Sequence, residues 1–161
     1  METTKEKADL NIHNNLVNNL QGLLEKNYDA EKGFKKAFET TKNEPLRGFL
    51  KDKAVLHSRF ANEINDELLK LNETPTTTGS TTGALHRGWI DVKTAFKANT
   101  DEAILEECIR GEKASMKEYE ETLQKNNFPP QISGVLNNQL NDIKNTVSKV
   151  KKLEDIAENW G

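Results

Sequence analysis

The sequence predicts an all-α fold: a four-helix bundle built from two helical hairpins, with an extra short helix in the long crossover connection between them. Three observations carry this reading. Apolar residues recur at three- and four-residue spacings over long stretches. A Thr/Gly-rich break at 72–83 separates the first two stretches from the rest, and no segment alternates β-branched and polar residues as a half-buried strand would. With 161 residues the chain fits a single domain, 1–161, large enough to bury roughly 70% of its unfolded surface.

The first stretch runs from Leu10 to Lys42 and places Ile12, Leu16, Leu20, Leu23, Phe34 and Phe38 on one stripe, interrupted by Asn27 and Ala30. Asn43-Glu44-Pro45 then offers a cap and a first-turn proline, whose missing N–H costs little there. The second stretch, Pro45 to Leu71, turns Leu46, Phe49, Leu56, Phe60, Ile64, Leu68 and Leu71 inward, with Lys53 and His57 on or beside its middle. In the break, Pro75, Gly79, Gly83 and several threonines favour loop over helix. Residues 84–97 follow, with Leu85, Trp89, Val92 and Phe96 at four-three-four spacing, a short amphipathic helix expected to pack across the bundle. Arg87 and Asp91 could pair on its outer flank.

Asn99-Thr100-Asp101-Glu102 reads as a helix start, with acids at the positive end of the dipole. That helix is expected to reach about Lys125 and to bury Ile104, Cys108, Ser115, Tyr119 and Leu123, with Gly111, Glu112 and Ser115 forming a small, polar middle. After Phe128-Pro129-Pro130, one last helix carries Ile132, Leu136, Ile143, Val147, Val150, Leu153 and Trp160, with Gln139 and Thr146 in or near the stripe.

Composition narrows the function classes. Net charge is −3 with the signs mixed along the chain, which argues against a nucleic-acid binder and its concentrated basic surface. Lys144, Lys149, Lys151 and Lys152 form the one basic cluster; a solvated face explains it more simply than a phosphate-binding strip. The single Cys108 cannot form an internal disulfide, so a cytoplasmic location is expected. The polar N-terminus has no apolar signal region, and no run approaches the ~20 apolar residues of a membrane span. Val17, Leu24, Leu105 and Ile109 flank the buried stripes and are candidates for the apolar strip of a dimer or of a contact with another protein.

Two hairpins joined by a long crossover have the connectivity of ferritin-like bundles, in which paired metals sit mid-bundle. Counting from the turns, Asn27 to Glu31 lies level with Lys53 to His57, and Glu112 lies level with Asp142. The predicted mid-bundle polar layer is therefore Asn27, Glu31, Lys53, His57, Glu112, Gln139 and Asp142. A di-metal centre needs a Glu-x-x-His pair on each of two helices, because residues three apart share a face. Leu10, Ala54 and Gly83 stand three residues before His13, His57 and His86, so no such pair exists. Glu31, His57, Glu112 and Asp142 could form a reduced site, but Lys53 nearby would repel a dication. The expectation is no metal, no cofactor and no catalytic residue, with His57 a partnered interior histidine and Cys108 a packing residue rather than a nucleophile. No phosphate loop, zinc spacing or nucleophile elbow is present.

At Gly83-Ala-Leu-His-Arg-Gly-Trp-Ile-Asp-Val-Lys93 and again at Ile104-Leu-Glu-Glu-Cys-Ile-Arg-Gly-Glu112, the chain resembles a bacterial four-helix-bundle family catalogued as domain of unknown function 2383. Asp29-Ala-Glu-Lys-Gly-Phe34 and the region from Lys42 to Phe49 are similar to the same family. The resemblance implies a ferritin-like bundle and brings no catalytic residues with it. Lys53 and Ala54, where a metal-binding ferritin would place its second-helix Glu, agree with that family's habit. The leading expectation is a non-enzymatic structural or interaction module with a stress-related role. The alternatives are a degenerate metal or redox protein using the mid-bundle carboxylates and His57, and weak nucleic-acid association.

Overall fold

The computed structural model describes residues 3–76 and 100–160, the side chains of 157–160 excepted. Among the described residues the protein is all-helical, with no strand and five helices: α1 (Thr4–Thr40), α2 (Glu44–Lys70), α3 (Asp101–Lys125), α4 (Pro130–Lys149) and α5 (Leu153–Trp160). The helix expected over 84–97, its packing residues Leu85, Trp89, Val92 and Phe96, and most of the 72–83 linker lie outside the described residues, as does the side chain of Trp160.

Local chemistry sets the helix ends. Thr3 and Glu6 form a reciprocal capping box at the start of α1. The Asn43 side chain accepts from the Leu46 N–H at 2.9 Å to start α2, with Pro45 in the first turn, and Thr100 caps α3 through the Ala103 N–H. At the end of α2 the Glu73 N–H reaches back to Leu68 O and the Asn72 N–H to Leu69 O. Asn72 adopts the left-handed conformation (φ 60°) that this closing pattern requires. Arg47 fastens the α1–α2 turn, donating to Phe38 O and Thr41 O at 3.0 Å each while its guanidinium lies over the Phe38 ring.

α1 packs on α2 and α3, α4 packs on α3 and α2, and α5 folds against α2 and α3. Two separate apolar clusters result. One, at the end holding the α1–α2 turn, joins Phe34, Leu46, Phe49, Ile104 and Cys108 with Val150 and Ile156. The other, at the opposite end, joins Leu20, Leu24, Phe60, Ile64 and Tyr119 with Leu136 and Ile143.

Three sequence expectations are corrected. Ile12 is 66% exposed rather than buried. The cause is length: α1 has 37 residues against 27 in α2, so its first turns run past the end of its partner. The last helix is two helices, because Val150 turns extended (φ −120°, ψ 109°) and the Asp155 carboxylate accepts from the Lys151 and Lys152 N–H groups, starting a new helix. The turn lets Val150 and Ile156 close the end of the first cluster, which the 20-residue α4 is too short to cover alone. Val17, Leu24, Leu105 and Ile109 do not form an outer strip; all four are buried in the chain's own core.

Candidate functional site

Between the two apolar clusters lies a chain of buried polar side chains that touches all four long helices. Asn27 from α1, His57 from α2, Glu112 and Tyr119 from α3 and Gln139 from α4 are each at most 1% exposed. His57 Nε2 meets Glu112 Oε1 at 2.6 Å, and His57 Nδ1 meets Asn27 Oδ1 at 2.8 Å. Asn27 Nδ2 donates to Tyr119 OH at 2.7 Å, and Tyr119 OH donates to Gln139 Oε1 at 2.7 Å. Phe34 stacks on the His57 ring and Phe60 meets it edge-on, so apolar rings close the imidazole off from above and beside.

Two backbone carbonyls fix the direction of every bond in the chain. Leu23 O can only accept, so the Asn27 atom beside it at 2.8 Å is the NH2 group, which leaves Asn27 Oδ1 for His57. Phe60 O does the same at the other end, taking Gln139 Nε2 at 3.2 Å and turning Gln139 Oε1 toward Tyr119. Tyr119 must therefore donate to Gln139 and accept from Asn27. His57 must carry a proton on Nδ1, and only the proton between Nε2 and Glu112 remains to be placed. With that proton on either atom the pair is neutral overall, as burial of two ionisable groups demands. The second oxygen, Glu112 Oε2, is buried and has no hydrogen-bond partner among the described residues.

The surroundings are shaped by desolvation. Burial lowers the pKa of Lys53, and the carboxylates of Glu112, Asp52 and Asp142 partly restore it. Burial pushes the Cys108 thiol well above its ordinary range, with Glu112 and Glu107 adding to the effect, which disfavours the thiolate. Burial likewise raises the Tyr119 hydroxyl, against the opposing hydrogen bond from Asn27. Tyr119 is thus a fixed donor rather than an acid near neutral pH.

Of the residues expected in the polar layer, the structure brings together Asn27, His57, Glu112 and Gln139. Glu31 and Asp142 face outward: Glu31 pairs with Lys35 at 2.8 Å, and the half-exposed Asp142 pairs with Arg59 at 3.0 Å. Lys53 lies beside the layer, half-buried, with its ammonium 5.6 Å from the Phe49 ring centre. The set Glu31, His57, Glu112 and Asp142 therefore does not converge, and among the described residues no group of three or more His, Cys, Asp or Glu is placed to hold a metal ion. Both nitrogens of His57 are engaged, and among the described residues a single carboxylate, that of Glu112, faces the ring.

Sequence reasoning missed the part played by Tyr119, which it read as one more member of an apolar stripe. The signal was there: a tyrosine at a core position needs a partner for its hydroxyl, and Asn27 and Gln139 were the polar interruptions of the two other stripes.

The fold and this site define a helical protein whose interior holds a chain of buried hydrogen bonds reaching all four long helices. The chain belongs to the family described as domain of unknown function (DUF2383), whose model matches residues 15–125. No curated protein and no solved structure matches it. Among the described residues, no helix is long and apolar enough to cross a membrane.

Proposed function

We propose that the protein is a ferritin-like four-helix bundle working as a non-enzymatic, cytoplasmic structural or interaction module, in which a hydrogen-bonded polar chain occupies the layer that metal-binding bundles give to paired ions. The observation that carries this reading is the closure of the network by Leu23 O and Phe60 O, which commits Asn27, Tyr119, Gln139 and His57 Nδ1 to one another and leaves a single histidine–carboxylate contact. Within this hydrogen-bonded chain each ring nitrogen and side-chain amide has its partner, and Glu112 Oε2 is the one oxygen without one among the described residues. Leu10, Ile12 and Leu69, exposed at the end where α1 overhangs α2, are among the apolar side chains that the described residues leave for a protein partner, a second copy included.

The test is the metal content of protein produced in medium supplemented with iron and manganese, then dialysed. No stoichiometric metal and an unchanged denaturation midpoint with chelator are expected. Two ions per chain that survive dialysis and disappear with Glu112→Gln would overturn the proposal in favour of a metal or redox protein.

A further inference from the structure

The outward face of α2 carries a pattern that the chain's own core does not use. Val55, Asn62 and Leu69 stand seven residues apart, on the side away from the buried His57 and Ile64, and Val55 and Leu69 are 61% and 54% exposed. Residues seven apart drift by only about 20° around a helix, so the three form one strip roughly 21 Å long. Two large apolar side chains thus stand in water at equal distances on either side of an amide. Resting on the interaction reading above, we propose that this strip is the interface of a homodimer in which α2 of two copies run antiparallel, with Asn62 at the two-fold axis.

Exposed apolar residues are ordinary when scattered singly. What selects a second copy as the partner is that the strip complements itself. In an isologous contact each residue meets the one at the same distance on the far side of the axis. Antiparallel pairing about Asn62 sets Val55 of each copy level with Leu69 of the other. Such an axis also keeps like flanks together, so the flank of α2 toward α4, marked by the Arg59–Asp142 pair, meets its own counterpart. There Arg59 comes level with Asp66 of the second copy, and Asp52 with Lys70, each to within about 3 Å. Asp52 and Asp66 are exposed and have no salt bridge among the described residues, so both are open to a cation from outside. On the other flank Ser58 comes level with Asn65, a hydroxyl beside an amide. The alternatives lose these matches. A parallel pairing would bring Arg59 to Arg59 and Asp66 to Asp66, and an antiparallel one moved by half a heptad would set Val55 or Leu69 against Asn62.

The shape of the surface agrees with this pairing. A groove of about 640 Å³ runs between α1 and α2 along the same strip, with Phe38, Ala54 and Val55 as its apolar lining and Lys35 and Lys51 among its polar residues. Leu69 of the second copy, level with Val55 and turned to the α1 flank, is the side chain placed to enter it. An apolar contact inside a charged rim is the usual anatomy of an interface. One helix face and one groove bury little, at or below the roughly 800 Å² per partner of a standard complex, so the dimer should dissociate on dilution.

The experiment uses the full chain with Cys108 left in place, since that thiol is buried. In sedimentation equilibrium the mass should rise with concentration from one chain toward two. Val55→Asp should hold it at one chain throughout while circular dichroism is unchanged, because the position is exposed within the chain. Gentle oxidation then locates the axis. Asn62→Cys should close on itself into a covalent dimer, whereas Val55→Cys should not, its two copies lying about 20 Å apart. Val55→Cys mixed with Leu69→Cys should give the crossed dimer. A single-chain mass at every concentration would overturn the proposal, as would a dimer that Val55→Asp leaves intact or one in which Asn62→Cys closes no faster than Val55→Cys. Open assemblies larger than two chains would also overturn it, since they need a head-to-tail contact. Metal content is measured apart from mass, so a metal-free monomer would remove this partner and leave the scaffold reading standing.

Discussion

Removing the His57 ring would strip Glu112 of the one hydrogen-bond partner it has among the described residues and leave both carboxyl oxygens buried without one. His57→Leu should therefore cost several kcal/mol, about 3–5 as for stranding one member of a buried ionisable pair. Adding Glu112→Leu should regain part of that loss, because no carboxylate is then left unsatisfied. Urea midpoints of the two single variants and the double variant test this, and a double variant as costly as the sum of its parts would reject the coupling. Residue identity was legible in the sequence wherever a polar side chain interrupted an apolar stripe, as Asn27, His57, Glu112 and Gln139 do. What could not be read was orientation. Glu31 and Asp142 sit at the right height but a fraction of a turn off the buried face, where a cation beside each holds it at the surface. A helical count resolves height along the axis better than rotation about it.

At the scale of the element, the helix ends were legible because single residues write them: Asn43, Pro45 and Thr100 stand where they were expected. The break between α4 and α5 was not, since Lys151 and Lys152 are ordinary helix residues and the signal is the Asp155 side chain three and four positions later. The start of α1 differs again. Residues 3–12 are exposed throughout, so a capping box and backbone bonds sustain these turns without a core beneath them. Short helices without tertiary support are marginal in water. Thr3→Ala with Glu6→Ala should lower helical circular dichroism and speed amide exchange over the first turns, leaving the global melting temperature nearly unchanged. A clear fall in melting temperature would show that the overhang is packed on something.

For the whole molecule, the polar chain acts on the mutual setting of the helices. Its five side chains make these hydrogen bonds together only when α1 to α4 stand in one register, which makes it a device against slipped or rotated packings. Lys53, beside this layer, gives the molecule a predictable alkaline behaviour. Its folded pKa is lowered, so between that value and the ordinary 10.5 the unfolded chain carries a proton that the folded chain lacks. Stability should then rise with pH through that window. Lys53→Gln should flatten the rise in urea midpoint below pH 10.5, and a slope unchanged by the substitution would assign it elsewhere. The two apolar clusters have a consequence of their own. They share no residue, and the hydrogen-bonded layer between them works like a bulkhead between compartments. Flooding one need not flood the other. Phe49→Ala, a loss of about 3–5 kcal/mol at a fully buried ring, should hasten amide exchange around Ala30–Ala37 and Ile104–Ile109. Exchange at Leu20–Leu24 and Leu136–Ile143 should stay near its original rate, so that this small protein would melt from the end that holds the α1–α2 turn.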